Sequence, residues 1–170
     1  MSASNPNIRP ARHDEYPAIG ELTHAAYSHD YSDLPEDYKE RLRHPELLLD
    51  DYDIWVATEP SDGTLLGTIA ILRAGIDNDG RLNDDELYFR LLAVAPAARG
   101  RGIGQALTKH TVELARQRGL AKVVLNSGEN MVGAHALYRK LGFAAAEERQ
   151  STIVHDRGTV QLYTFVYELA

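Results

Sequence analysis

The sequence predicts an α/β (α+β) fold in which helices flank a sheet, and three stretches carry that prediction. Residues 87–94 form an apolar strand that leads, through a turn built of Arg and Gly, into an amphipathic helix with Ile103, Leu107 and Leu114 on one side. Ala134, Leu137, Tyr138 and Leu141 recur at i, i+3, i+4 and i+7, the period of a second helix with one apolar face. Residues 52–59 and 64–73 are strand-like, with Ser61-Asp62-Gly63 between them as a hairpin turn. At 170 residues the chain fits a single domain, 1–170, with one substantial core.

The remaining elements follow from local chemistry. Residues 7–11 read as a first strand, followed by Asp14 as the N-cap of a helix whose apolar face is Ile19, Leu22, Thr23 and Ala26. Pro35 opens a second helical segment carrying Tyr38 and Leu42, and Pro45 interrupts it before Leu47, Leu48 and Leu49. The helix after the Arg/Gly turn ends near Gly119, and residues 121–125 make a short buried strand. Gly142 caps the Tyr138 helix. Residues 143–149 and 159–169 close the chain as a pair of antiparallel strands, with Asp156-Arg157-Gly158 turning into the last.

Composition excludes several functions. A net charge of −7 opposes nucleic acid or an anionic membrane as partner. With no cysteine there is neither a disulfide, a thiolate metal site nor a cysteine nucleophile. The first residues lack a basic segment followed by an apolar one, and no apolar run approaches the ~20 residues of a membrane span, so a cytoplasmic protein is expected. The seven histidines show no paired ligand spacing. Residues 75–86 overlay part of a calcium loop but place Gly75 where its first Asp belongs, so no metal is expected.

The chemistry-bearing stretch is Arg99-Gly100-Arg101-Gly102-Ile103-Gly104. Three glycines in five residues at a helix start bare consecutive N–H groups where the helix dipole favours an anion, and two arginines suit a pyrophosphate. A P-loop would need Lys-Ser or Lys-Thr after the last glycine, but Gln105-Ala106 follows. A dinucleotide fold would space its glycines differently and put an acid at the end of the next strand, where Asn126 stands.

Arg99-x-x-Gly102-x-Gly104 resembles instead the Gln/Arg-x-x-Gly-x-Gly/Ala signature of the GNAT superfamily of acyl-CoA-dependent N-acyltransferases. Ala134-His135-Ala136-Leu137-Tyr138-Arg139-Lys140-Leu141-Gly142-Phe143 looks like that family's second signature, in the expected order and spacing; the Asn usual seven residues before the Tyr is here Met131. The resemblance is clear over residues 86–145. It implies a central mixed, mostly antiparallel sheet, with the strands before and after the first motif helix splayed apart. It further implies acetyl-CoA as co-substrate, with the pyrophosphate on Arg99, Gly100, Arg101, Gly102, Ile103 and Gly104. Leu92, Ala93 and Val94 would pair with the pantetheine amides as an added strand does, and Asn126, Ala134 and Tyr138 complete the expected cofactor contacts.

Direct transfer of an acetyl group to a primary amine in a ternary complex is the expected reaction. A lysine-like amine, with a pKa near ~10.4, must lose a proton. Glu86 and Tyr88, alternating along the strand before the loop, are the best-placed groups to take it. A backbone N–H near Leu92 would polarise the thioester carbonyl, Tyr138 matches the family's general acid toward the sulfur, and His135 has a structural role by default. The acceptor is not legible: Tyr27, Asp30, Tyr31, Asp33, Glu36, Asp37 and Tyr38 either form a solvated face or receive a cationic amine. Homodimerisation is left open. The alternative is a non-catalytic acyl-CoA sensor on the same fold.

Overall fold

The computed structural model describes residues 5–31, 34–76, 82–129, 131–155 and 158–169. Its contacts divide the chain into two units, residues 1–76 with 89–111 and residues 77–88 with 112–170. Two of the three cuts fall inside elements, one in a strand and one in a helix.

In the first unit β1 (Asn7–Pro10), β2 (Tyr52–Thr58), β3 (Leu65–Leu72) and the later part of β4 (Glu86–Val94) form an antiparallel ladder in that order. Val56, Ile69 and Ile71 are fully buried in it. The β2–β3 hairpin turns where expected: Gly63 has φ 78°, a left-handed conformation that glycine adopts without strain, and the Thr64 N–H donates to Asp62 Oδ1 at 3.0 Å.

Two helices follow β1: α1 (Tyr16–Asp30) and α2 (Glu36–Leu42), with Pro35 just ahead of α2 and a 3-10 turn at Pro45–Leu48 behind it. Ile19, Thr23 and Ala26 are buried as the periodicity requires. The start of α1 differs from expectation. Asp14 lies within a 3-10 turn, His13–Glu15, and no side chain caps α1; the Glu15 carboxylate closes that 3-10 turn, accepting the Arg12 N–H at 2.8 Å and binding both terminal guanidinium nitrogens of Arg9 at 2.8 and 2.9 Å. A cationic partner on β1 thus selects the neighbouring acid. Gly20, on the buried face of α1, lets the chain after α2 approach so closely that a Cβ there would lie 2.0 Å from Arg43 O.

In the second unit the first residues of β4 pair in parallel with β5 (Lys122–Gly128), from Glu86↔Lys122 to Tyr88↔Val124. β8 (Gly158–Glu168) runs antiparallel to β5 and also takes β6 (Ala144–Ala145) and β7 (Ser151–His155). One parallel contact among antiparallel ones makes the mixed, mostly antiparallel sheet that was expected. β5 runs three residues past Leu125 because β8 continues to pair with it as far as Leu162. The strand expected at 143–149 is not continuous: after Ala145 the chain makes a 3-10 turn, Glu147–Arg149, and β7 begins at Ser151. Arg149 is drawn aside by Glu86, as described below. The turn residues Asp156 and Arg157 lie outside the described residues, as do Ser32, Asp33, residues 77–81 of the calcium-like loop, and Asn130. α3 (Ile103–Gln117) begins in the first unit and ends in the second, and α4 (Val132–Lys140) packs Tyr138 near Phe165 and Phe143.

Candidate functional site

The phosphate loop is built as a cradle. Gly100 and Gly102 have φ 79° and 76°, and a Cβ at either would meet nothing within 4 Å, so here glycine answers a backbone demand and leaves the surface open. The first-turn N–H groups of α3 have no partner within the helix, the earliest bond being Ala106 N–H to Gly102 O at 3.0 Å. Both loop arginines have carboxylate partners. Arg99 donates to Asp30 through both terminal nitrogens, at 3.2 and 2.9 Å, and through Nε to Val94 O at 3.1 Å. Arg101 pairs with Glu59 at 2.8 Å. Burial pushes the Asp30 carboxyl up, but hydrogen bonds from Arg99 and His29 outweigh it and hold it below the usual range. Each guanidinium is thereby fixed in place and partly neutralised, with N–H donors to spare.

β4 is bulged just before the loop. Between the pairs Ala70↔Arg90 and Thr68↔Ala93 one residue of β3 faces two of β4, and Leu91 takes φ 55°, costly for a non-glycine residue. Ala93 and Val94 then continue the ladder with Thr68 and Gly67, while the Tyr27 hydroxyl reaches Leu92 O at 3.4 Å. The bulge re-aims the backbone at Leu91 and Leu92, where a thioester carbonyl was expected to be polarised. Leu91 and Arg90 both line a cavity whose other walls come from α1, α2, the turn after it, and β2 and β3.

Several described members of the acidic and aromatic stretch 27–38 have partners of their own. Asp30 serves Arg99, Tyr27 and Tyr31 meet edge to face with centroids 5.7 Å apart, and Tyr38 faces the cavity beneath Arg41.

In the second unit the Tyr138 ring is buried, 5.8 Å from Phe143 and 5.9 Å from Phe165 between centroids. Its helix ends as Gly142 requires, with the Phe143 N–H on Tyr138 O at 2.9 Å. Glu86 is occupied: Arg149 donates to its two oxygens at 2.7 and 3.0 Å, and the Asn83 N–H to Oε1 at 2.9 Å. Burial raises its pKa, but Arg149, the Asn83 N–H and the charge of Lys122 together hold it below the ordinary glutamate value. A carboxylate so engaged is a weaker base. Tyr88, two residues on, is also buried. Asn126 accepts the Thr164 hydroxyl at 2.8 Å, and Ala134 is half-buried on α4. His135 is buried against Tyr163 and Phe165 with Nε2 3.1 Å from the Ser127 hydroxyl; desolvation lowers its pKa, favouring the neutral ring.

The model of the acetyltransferase (GNAT) family matches residues 16–143, three-quarters of the chain. The chain belongs to that family. Among curated relatives, N-acetyltransferase 8 of Mus musculus is 36% identical over 115 residues, 68% of this chain and 48% of its own length. A mycothiol acetyltransferase of Beutenbergia cavernae is 36% identical over 104 residues, 61% of this chain and 32% of its own. The GNAT chain described here thus spans about half the length, or less, of these relatives. A GCN5-related N-acetyltransferase from Kribbella flavida superposes with a TM-score of 0.71 at 25% identity, covering 97% and 98% of the two chains. The PaiA N-acetyltransferase of Thermoplasma acidophilum, solved with coenzyme A, shares the fold at TM-score 0.70 and 18% identity over 98% of this chain and all of its own.

Among the described residues of this GNAT chain no cluster of three or more His, Asp or Glu side chains could hold a metal ion, and no helix is long and apolar enough to cross a membrane. The bulge at Leu91, the carboxylate partners of the loop arginines and the cavity beside α2 were not legible from motifs. Only the positive charge at 41 and 90 hinted at the last.

Proposed function

We propose that this chain transfers an acetyl group from acetyl-CoA directly to a primary amine, and the observation that carries the reading is the phosphate cradle. Left-handed glycines, the free first turn of α3 and two anchored guanidinium groups suit a pyrophosphate, which family membership supports. Acetyl-CoA supplies an activated thioester. The backbone of Leu92, Ala93 and Val94 binds its pantetheine arm, and the bulged N–H groups near Leu92 stabilise the oxyanion as the amine adds. In the overall exchange a C–N bond forms, the C–S bond breaks, the amine loses one proton and the departing thiolate gains one. Tyr138 donates that second proton. Tyr88 relays the first to water, while Glu86, held by Arg149, anchors the start of β4 and takes no proton itself.

The test has two parts. Intact-mass measurement with acetyl-CoA alone should show no acyl adduct, whereas adding an amine should release CoA thiol in step with acetylated amine. Tyr138→Phe should lose roughly 10²- to 10⁴-fold in kcat with CoA affinity and melting temperature little changed, and its rate should lack the fall at high pH that ionisation of the phenol gives the wild type. Full activity in a stable Phe variant would refute Tyr138 as the acid.

A further inference from the structure

Every charged side chain lining the cavity beside α2 is basic: Arg41, His44 and Arg90. Its apolar wall is made by Ile19, Leu42, Leu48 and Ile54, with Leu91 of the bulge. We infer that the acceptor amine is a hydrophobic amino acid, whose carboxylate meets Arg41 and whose side chain covers the apolar wall. This rests on the acetyl-transfer reading above and names its substrate class.

The three cations are held differently, and the difference locates the anion. His44 spends its charge away from the cavity: Nδ1 lies 2.9 Å from Glu46 and Nε2 3.2 Å from Glu40. Arg41 instead lies over the Tyr38 ring at 5.7 Å and, among the described residues, makes no ion pair. A ring face engages the guanidinium plane and leaves the N–H groups in that plane to fork onto a carboxylate. Arg90, 6.0 Å over the Tyr52 ring, is next to Leu91, so the basic wall adjoins the bulged backbone at which the amine reacts. An α-amino acid carries both groups that such a pocket calls for, a carboxylate and a reacting amine.

Other amines fit poorly. A polyamine would bring further positive charge against Arg41 and Arg90, where no carboxylate lines the cavity. An amino sugar phosphate supplies an anion but would leave its hydroxyls against leucine and isoleucine, a desolvation without compensation. In the reaction the amino acid's ammonium group first gives one proton to solvent; its nitrogen then forms the C–N bond and loses a second proton as the C–S bond breaks and the departing thiolate gains one, giving the N-acetyl amino acid and CoA thiol.

Steady-state kinetics with acetyl-CoA should compare phenylalanine and leucine with their amides, spermidine and glucosamine 6-phosphate. The free acids are expected to exceed the amides by about tenfold or more in kcat/KM, as loss of a charge-assisted contact implies. Arg41→Gln should erase that difference through KM. Equal use of acid and amide by the wild type, or preference for spermidine or the sugar phosphate, would overturn the inference and leave acetyl transfer standing. Calorimetry separates the two: CoA should bind wild type and Arg41→Gln alike, and failure to bind would sink the transferase reading. N-acetylphenylalanine, titrated into protein with or without CoA, should bind wild type and lose affinity in Arg41→Gln; absence of binding to wild type overturns the inference even where nothing is turned over.

Discussion

The arginines of the phosphate loop and Arg41 of the cavity are held by opposite chemistries. Arg99 and Arg101 are each clamped by a carboxylate, Asp30 and Glu59, whereas Arg41 rests on an aromatic ring. A carboxylate clamp fixes geometry at the cost of net charge; a ring fixes one face and leaves the charge for a ligand. The loop, which also has helix N–H groups and a dipole, can spare charge and gains from order. The cavity has no such reserve.

The largest disturbance of this contrast should come from Gly20→Ala. The new methyl group would sit 2.0 Å from Arg43 O, forcing the segment that carries Arg41 away from α1. Thermal or denaturant unfolding should show a loss of about 3 kcal/mol, the upper range for overpacking, and acceptor KM should rise while CoA affinity stays near wild type. A parallel loss of CoA affinity would show that the two arginine groups are not independent.

Next, Arg99→Ala should weaken CoA binding by about 2 kcal/mol in calorimetry, with acceptor KM little affected. Asp30→Asn keeps a hydrogen-bond acceptor for Arg99 and removes the opposing charge, so it should tighten CoA binding by about threefold at low salt, an advantage that screening erodes. If Asp30→Asn weakens binding instead, the clamp matters more than the charge.

A last contrast concerns a third clamped arginine, Arg9, remote in sequence from loop and cavity. Hydrogen bonds from Arg9 and the Arg12 backbone, with the charges of both arginines, outweigh burial and lower the Glu15 pKa from 4.5 to about 2. A depressed folded-state value contributes stability that is fully present above about pH 5 and is lost as pH falls toward 2. Glu15→Gln should therefore cost about 1 kcal/mol at pH 7 and progressively less in melts at lower pH; a constant difference across that range would mean the clamp contributes packing rather than charge.

These contrasts mark what a linear reading can reach. The hairpin at Asp62-Gly63, the Tyr38 helix behind Pro35 and the glycine loop all follow from residues adjacent in sequence, and each stands where composition put it. Leu91 carries no such flag. It opens the apolar run Leu91-Leu92-Ala93-Val94 with no turn residue beside it, and its left-handed backbone arises from register with β3, a strand some twenty residues earlier. Asp14 and Glu15 are equivalent as caps until Arg9 is brought beside one of them, and residues 143–149 look continuous until Arg149 meets a glutamate 63 positions away. The cavity cations stand on α2, just after it and on β4, with β2 and β3 between them in sequence, so their convergence is a property of the fold alone.

The division of the chain has a consequence for how it is made. Because the cut falls between Tyr88 and Phe89 and again after Thr111, neither unit is contiguous in sequence. As the polypeptide leaves the ribosome, the first seventy-six residues bring β1, β2 and β3 but not the strand that completes their ladder, and that strand emerges joined to the edge of a sheet whose other members are still unmade. The first unit is thus completed only when residue 111 has emerged, and no shorter fragment contains it whole. Ribosome-bound fragments ending before about residue 111 should remain protease-sensitive throughout, including the hairpin that looks self-sufficient on paper.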